Sequence, residues 1–171
     1  MKSIFSVFVV LFFSFQSQAQ PDAIEKLFND YQKNEDFSVV FVGPKMFQMF
    51  VKATNNGESD DEFKDVVKDL KGLRIMSTSK KTLATYAEAN KRLNANGYEE
   101  LMTVKDKGSN VRFVTKESNK TITELLLVVG AADNFTMMSF TGKIDLNKIS
   151  KLAKTLDIKG AEHLDKVNKK K

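Results

Sequence analysis

The sequence predicts an α+β domain: a mainly antiparallel sheet with helices packed mostly on one face, closing in a C-terminal meander followed by a helix. Three observations carry this expectation. The first half alternates helical with strand-like periodicity, the second half strings four strand-like segments over short turns, and an amphipathic segment follows the last of them. Consecutive strands joined by short turns pair antiparallel, because a parallel return needs a long crossover.

A leader precedes the domain. Lys2 is followed by an apolar run from Ile4 to Phe15 and a short polar exit to Gln20, with the small residues Ser17 and Ala19 at the −3 and −1 positions of a cut before Gln20. That order is how a secretory signal peptide reads. The run is shorter than the roughly 20 apolar residues a spanning helix needs, so cleavage is expected rather than retention. A lipoprotein would need a cysteine at the cut, and the chain has none. The expected organisation is a signal peptide over residues 1–19, a single α+β domain over 20–157 and a basic tail over 158–171.

Without cysteine, an exported domain must draw its stability from a core rather than from disulfides, and thiol nucleophiles and thiolate metal sites are excluded. A chain of this size buries roughly two-thirds of its unfolded surface, which is enough.

Within the domain, Pro21 suits a helix start, and Ile24, Leu27, Phe28 and Tyr31 recur on one face. Phe37 to Val42 is a β-branched and aromatic run bounded by Gly43-Pro44, which reads as a buried strand. Pro44 opens a helix with Met46, Phe47, Phe50 and Val51 expected inward, ended by the loop Asn55-Asn56-Gly57-Glu58. Ser59-Asp60-Asp61-Glu62 lacks the ligand spacing and sharp-turn glycine of a calcium loop. It reads instead as a capping box, Ser59 at N-cap and Glu62 at N3, ahead of Phe63, Val66, Val67 and Leu70.

Leu73 to Met76 form a short strand, and Ser79 is expected to cap a helix carrying Leu83, Tyr86, Ala87 and Leu93, closed at Gly97. The meander follows as Tyr98–Val104, Val111–Thr115, Ile122–Val129 and Phe135–Thr141. Leu125 to Val129 are apolar on both faces, which places that strand in the middle of the sheet. Asp145 caps a last helix with Leu146, Ile149, Leu152, Ala153 and Leu156 facing in. A faint internal echo links Asp36-Phe37-Ser38-Val39-Val40-Phe41 with Asn134-Phe135-Thr136-Met137-Met138.

The chemistry-bearing residues are sparse. His163 is the only histidine, too few for a multi-histidine metal site, and it lies where the core pattern has faded. Ser77-Thr78-Ser79-Lys80 is the only local Ser-Lys candidate, and a lysine at an exposed helix start is ordinarily solvated rather than poised as a base. Glu99 and Glu100 are neighbours on a strand and point to opposite faces, so they do not act as a pair. Gly43-Pro44-Lys45 lacks the glycine spacing of a phosphate loop and reads as a turn. Asn119-Lys120-Thr121 and Asn134-Phe135-Thr136 match the glycosylation triplet, which has meaning only in a eukaryotic secretory route. No catalytic, cofactor-binding or metal-ligating residue is assigned, and no cofactor is expected.

In their order along the chain, several words resemble an uncharacterised family of exported Bacteroidetes proteins, the domain of unknown function 4252. They are the N-terminal helix, Val39-Val40-Phe41-Val42 leading into Met46-Phe47, Leu70-Lys71-Gly72-Leu73-Arg74-Ile75, Tyr98-Glu99-Glu100-Leu101-Met102, Leu125-Leu126-Leu127, and Phe140-Thr141-Gly142-Lys143-Ile144-Asp145-Leu146. The resemblance implies an envelope location and carries over no catalytic residue.

The resulting expectation is an exported, non-enzymatic binding or interaction module of the bacterial envelope, in sensing or stress signalling, whose partner is another envelope protein. Export argues against nucleic acid, while the tail Lys166 to Lys171 offers weak contact with an anionic membrane surface. The alternatives are a hydrolase-like enzyme with a carboxylate or Ser-Lys site assembled from distant segments, and a self-associating structural protein of the envelope. Cleavage is directly testable: the intact mass of the exported protein should begin at Gln20, and a retained Met1 would overturn the export argument.

Overall fold

The structure, a computed structural model, describes residues 23–53, 64–65 and 67–149. Helix α1 (Ala23–Gln32) leads into strand β1 (Ser38–Val42), helix α2 (Pro44–Ala53) and strand β2 (Leu70–Thr78). Helix α3 (Thr82–Ala95) then precedes β3 (Glu99–Asp106), β4 (Ser109–Ser118), β5 (Thr121–Gly130) and β6 (Phe135–Ile144). These strands form one six-stranded sheet in the order β1-β2-β6-β5-β4-β3, with every neighbouring pair antiparallel. The α+β class and the meander followed by a helical turn at 146–149 agree with the sequence.

The alternation of each strand divides the core into two layers. On one face, Ile24, Leu27 and Phe28 of α1 and Ala89 and Leu93 of α3 pack over Met76, Leu126, Val128 and Met137. On the other, Phe47 of α2 joins Val67 and Ile149 over Leu73, Leu125, Leu127 and Phe140. Two of the three described helices therefore share a face. β5 lies inside the sheet and is covered on both sides, which is why Leu125 to Val128 are all apolar and buried.

Local chemistry sets the turns. Lys107 and Gly108, and Asn119 and Lys120, all have positive φ, the pattern of two-residue turns whose twist matches that of antiparallel strands. The Asn119 triplet is thus a hairpin tip, whereas Asn134 donates from Nδ2 to Thr136 Oγ1 within its own triplet at 3.2 Å. Asp145 caps the last described turn as expected, its Oδ1 accepting from the Asn147 amide at 2.9 Å.

Four local expectations are corrected. β1 is the edge of the sheet, not a buried strand, and Val40 and Phe41 are exposed. In α2, Phe47 is buried but Met46 is exposed. In α3, Thr82, Thr85, Ala89 and Leu93 face the sheet, Tyr86 is half-buried, and Leu83 and Ala87 point outward. The physical reason lies at Gly130, where an added Cβ would meet the Tyr86 ring at 2.5 Å. Tyr86 rests on bare backbone there, and that contact sets the helix rotation. Nor does Ser79 cap α3: Lys81 occupies the N-cap in a left-handed conformation with no side-chain bond. The expected Ser59 cap, Pro21, Phe63, Val66, the side chains of Phe50 and Val51, and Leu152, Ala153 and Leu156 lie outside the described residues.

The internal echo has a structural correlate. β1 and β6 flank β2, so Ser38 and Thr136 both pair with Ser77, Val39 and Met137 with Met76, and Val40 and Met138 with Ile75. The two words occupy equivalent positions on either side of one strand.

Where β6 closes against β2, Gly142 has φ 137°, and a Cβ there would lie 2.9 Å from the backbone of Leu70 and Lys71. Gly97 also has positive φ, but a Cβ there meets nothing within 4 Å. Backbone strain and overpacking each cost about 1–3 kcal/mol, so Gly142→Ala should destabilise by about 3 kcal/mol or more and Gly97→Ala by only about 1. Urea denaturation midpoints of the two variants check this, and equal losses would contradict it.

Candidate interaction surface

The two edges of the sheet are built differently. β3 carries Glu99, Glu100, Lys105 and Asp106 and is bulged between Glu100 and Met102, both of which discourage another strand from adding. Arg112 of β4 fixes this edge, donating from Nε to Glu100 at 2.7 Å and through its other nitrogens to Asn90 and Asn94 of α3 at 2.7 and 2.9 Å. The bond from Arg112, followed by one from Thr103, holds the Glu100 carboxyl below its ordinary range. Glu99 remains exposed, so the adjacent glutamates have separate roles, as their alternation requires.

β1 has none of these protections. Its sequence, Ser-Val-Val-Phe-Val, contains no charge and no proline, yet Val40 is 46% and Phe41 62% exposed. Helix α2, which leaves the same edge through Gly43, adds Met46 at 45% and Met49 at 55%. A strand paired on one side only, with a clustered apolar surface, is the kind of edge to which a further strand can add.

On the α1 side, Val39 and Phe41 line a cavity of about 340 Å³ together with Glu25, Phe28, Asn29 and Arg74. Arg74 of β2 organises its rim: Nη2 donates to Glu25 Oε1 at 3.4 Å, and the guanidinium carbon lies 5.3 Å from the Phe41 ring centroid. The cation satisfies an acid and an aromatic face at once, leaving a hollow of mixed polar and apolar lining with a neutralised pair at its rim. A second, mostly apolar hollow of about 260 Å³ lies between α2 and β2, lined by Pro44, Phe47, Val67 and Leu70.

The wall formed by α1 is anchored to α3. Tyr31 donates to Glu88 Oε2 at 2.6 Å, and Arg92 donates to Glu88 Oε1 at 2.7 Å and to Asp30 at 3.3 Å. Partial burial first, and the bond to Glu88 second, push the Tyr31 hydroxyl above its ordinary value of 10.0. The same bond holds Glu88 below its ordinary value of 4.5.

The other candidates from the sequence do not assemble into a site. Lys80 Nζ turns to Asp36 at 3.6 Å, its amide donates to Thr78 Oγ1 at 3.0 Å, and Ser77 lies within β2, so no Ser-Lys pair forms. Gly43-Pro44 is the turn into α2. His163, the Ser59 to Glu62 carboxylates and the tail Lys166 to Lys171 lie outside the described residues. Among the described residues, no group of three or more His, Asp or Glu side chains is placed to hold a metal ion.

A polar cluster that periodicity did not reveal lies within the core. Tyr98 donates to Glu124 Oε2 at 2.6 Å and Ser139 to Glu124 Oε1 at 2.5 Å, with Lys116 above the Tyr98 ring. Ser139 has no exposed surface and Glu124 almost none, so the cluster ties β5 and β6 to the start of β3 rather than facing a substrate. Its only sequence signal was a glutamate opening an otherwise apolar run.

Fold and surface together define a small α+β domain with one guarded sheet edge and one open, apolar edge. The chain belongs to the family described as a domain of unknown function (DUF4252), whose model matches residues 31–152 and so spans the sheet from just before β1 to just past β6. No curated protein and no solved structure matches the chain.

The Tyr31–Glu88 bond makes a signed pH prediction. A proton held more tightly in the folded state contributes stability that is complete below the unfolded value of 10.0 and is lost as pH rises above it. Denaturant unfolding between about pH 9 and 11 should show a steeper alkaline decline for the native protein than for Tyr31→Phe. Parallel declines would contradict the assignment.

Proposed function

We propose that this protein is an exported, non-enzymatic interaction module of the bacterial envelope that holds another envelope protein along β1. The observation carrying this reading is the contrast between its edges: β3 is charged and bulged, while β1 is uncharged, apolar and exposed. Strand addition supplies affinity through main-chain hydrogen bonds, and pockets beside the edge select alternate side chains of the incoming strand. The hollow beside Val39 and Phe41 is such a pocket. The leader, with its basic residue, apolar run and small-residue exit, supports export. Capture of an extended apolar segment from a disturbed envelope protein is the means by which such a module would serve sensing or stress signalling.

A photoreactive side chain placed at Phe41, and separately at Thr103 on the guarded edge, tests the reading in the native cell. The expected result is an adduct of defined mass at Phe41 and none at Thr103. Equal capture at both edges, or none at β1, would overturn it.

A further inference from the structure

We infer that β1 pairs with β1 of a second copy of this chain, antiparallel about a two-fold axis at Val40, to give a continuous sheet across two protomers. This inference rests on the reading of β1 as the contact surface and names its resting occupant, a second copy that an extended segment of another envelope protein would have to displace. The strand is its own complement when reversed: Val40 meets Val40, Val39 meets Phe41, and Ser38 meets Val42, so no charge is buried against another.

The alternation places the same residues on matching faces. Val39 packs with the α1 layer and Val42 with the α2 layer, so Val39 and Phe41 share one face and Ser38, Val40 and Val42 the other. Directly opposed residues of an antiparallel pair lie on the same face. Phe41 of each copy is therefore delivered beside Val39 of the other, at the hollow that Val39 lines with Phe28 and Asn29. At its rim Glu25 and Arg74 bond to each other, so their charges are already paired when the Phe41 ring of the other copy arrives beside Val39 and Phe28.

The alternative pairing between copies, β1 of one on β3 of the next, would be head-to-tail and open-ended. It would set the uncharged strand against Glu99, Glu100, Lys105 and Asp106 across a bulge. The charged edge thus blocks the filament and leaves the closed two-fold dimer.

Because the chain contains no cysteine, one introduced thiol reports one contact. Opposed residues of an antiparallel pair have Cα atoms about 4.5–5.5 Å apart, within disulfide range. In protein purified from cells expressing the full chain, Val40→Cys should oxidise to a dimer at concentrations where Thr103→Cys stays monomeric. Mixed Ser38→Cys and Val42→Cys proteins should cross-link to each other in preference to themselves. Light scattering should give twice the monomer mass for the native protein, and Val40→Lys should weaken association at least tenfold while circular dichroism stays native. A monomeric native protein, or a dimer in which Val40→Cys does not link and Val40→Lys has no effect, overturns the inference. If Phe41 still captures another protein in cells, the module reading survives that failure; if β1 captures nothing, both fall.

Discussion

The pairing of β6 with β2 is what turns two half-structures into one domain. β1, α2 and β2 form one unit, β3 to β6 form a meander, and only the ladder from Leu70↔Gly142 to Thr78↔Phe135 joins their strands. Phe135, Met137, Met138 and Phe140 of β6 are buried, and each contributes about 1.5–3 kcal/mol by leaving water. The surface ion pairs, such as Lys80–Asp36 and Arg92–Asp30, contribute about 0–1 kcal/mol each. Apolar burial across this seam therefore dominates, and the close backbone approach at Gly142 lets it form.

The seam also decides which strands stay open. With β6 on one side of β2 and β1 on the other, β1 has a single neighbour and becomes an edge, as does β3 at the far end. The sequence treats these equivalent positions oppositely, placing charges and a bulge on β3 and an uninterrupted apolar run on β1. Selection for solubility alone would guard both edges. An edge left unguarded beside a hollow and two exposed methionines is the arrangement that the proposed strand addition would use.

Much of this architecture was legible in the sequence, and the gaps have physical causes. The meander could be read because its strands alternate and its turns carry Gly and Asn where positive φ is needed. Leu125 to Val129 correctly marked an interior strand, while the similarly apolar Phe37 to Val42 wrongly suggested another, because an apolar run records composition and not the number of neighbours a strand has in the sheet. The register of α3 was missed because its sheet-facing side uses Thr82 and Thr85, whereas Leu83 lies outside. The Glu124–Tyr98–Ser139 cluster and the Arg112 clamp join residues far apart in the chain, so spacing could not reveal them.

Amide hydrogen exchange in β1, followed across a range of protein concentrations, tests the account most directly. An edge completed by association should have outward-facing β1 amides that exchange fast in dilute protein and slow as concentration rises, while interior β5 amides stay protected throughout. β1 amides as protected as those of β5 at every dilution would contradict the open edge on which the account depends.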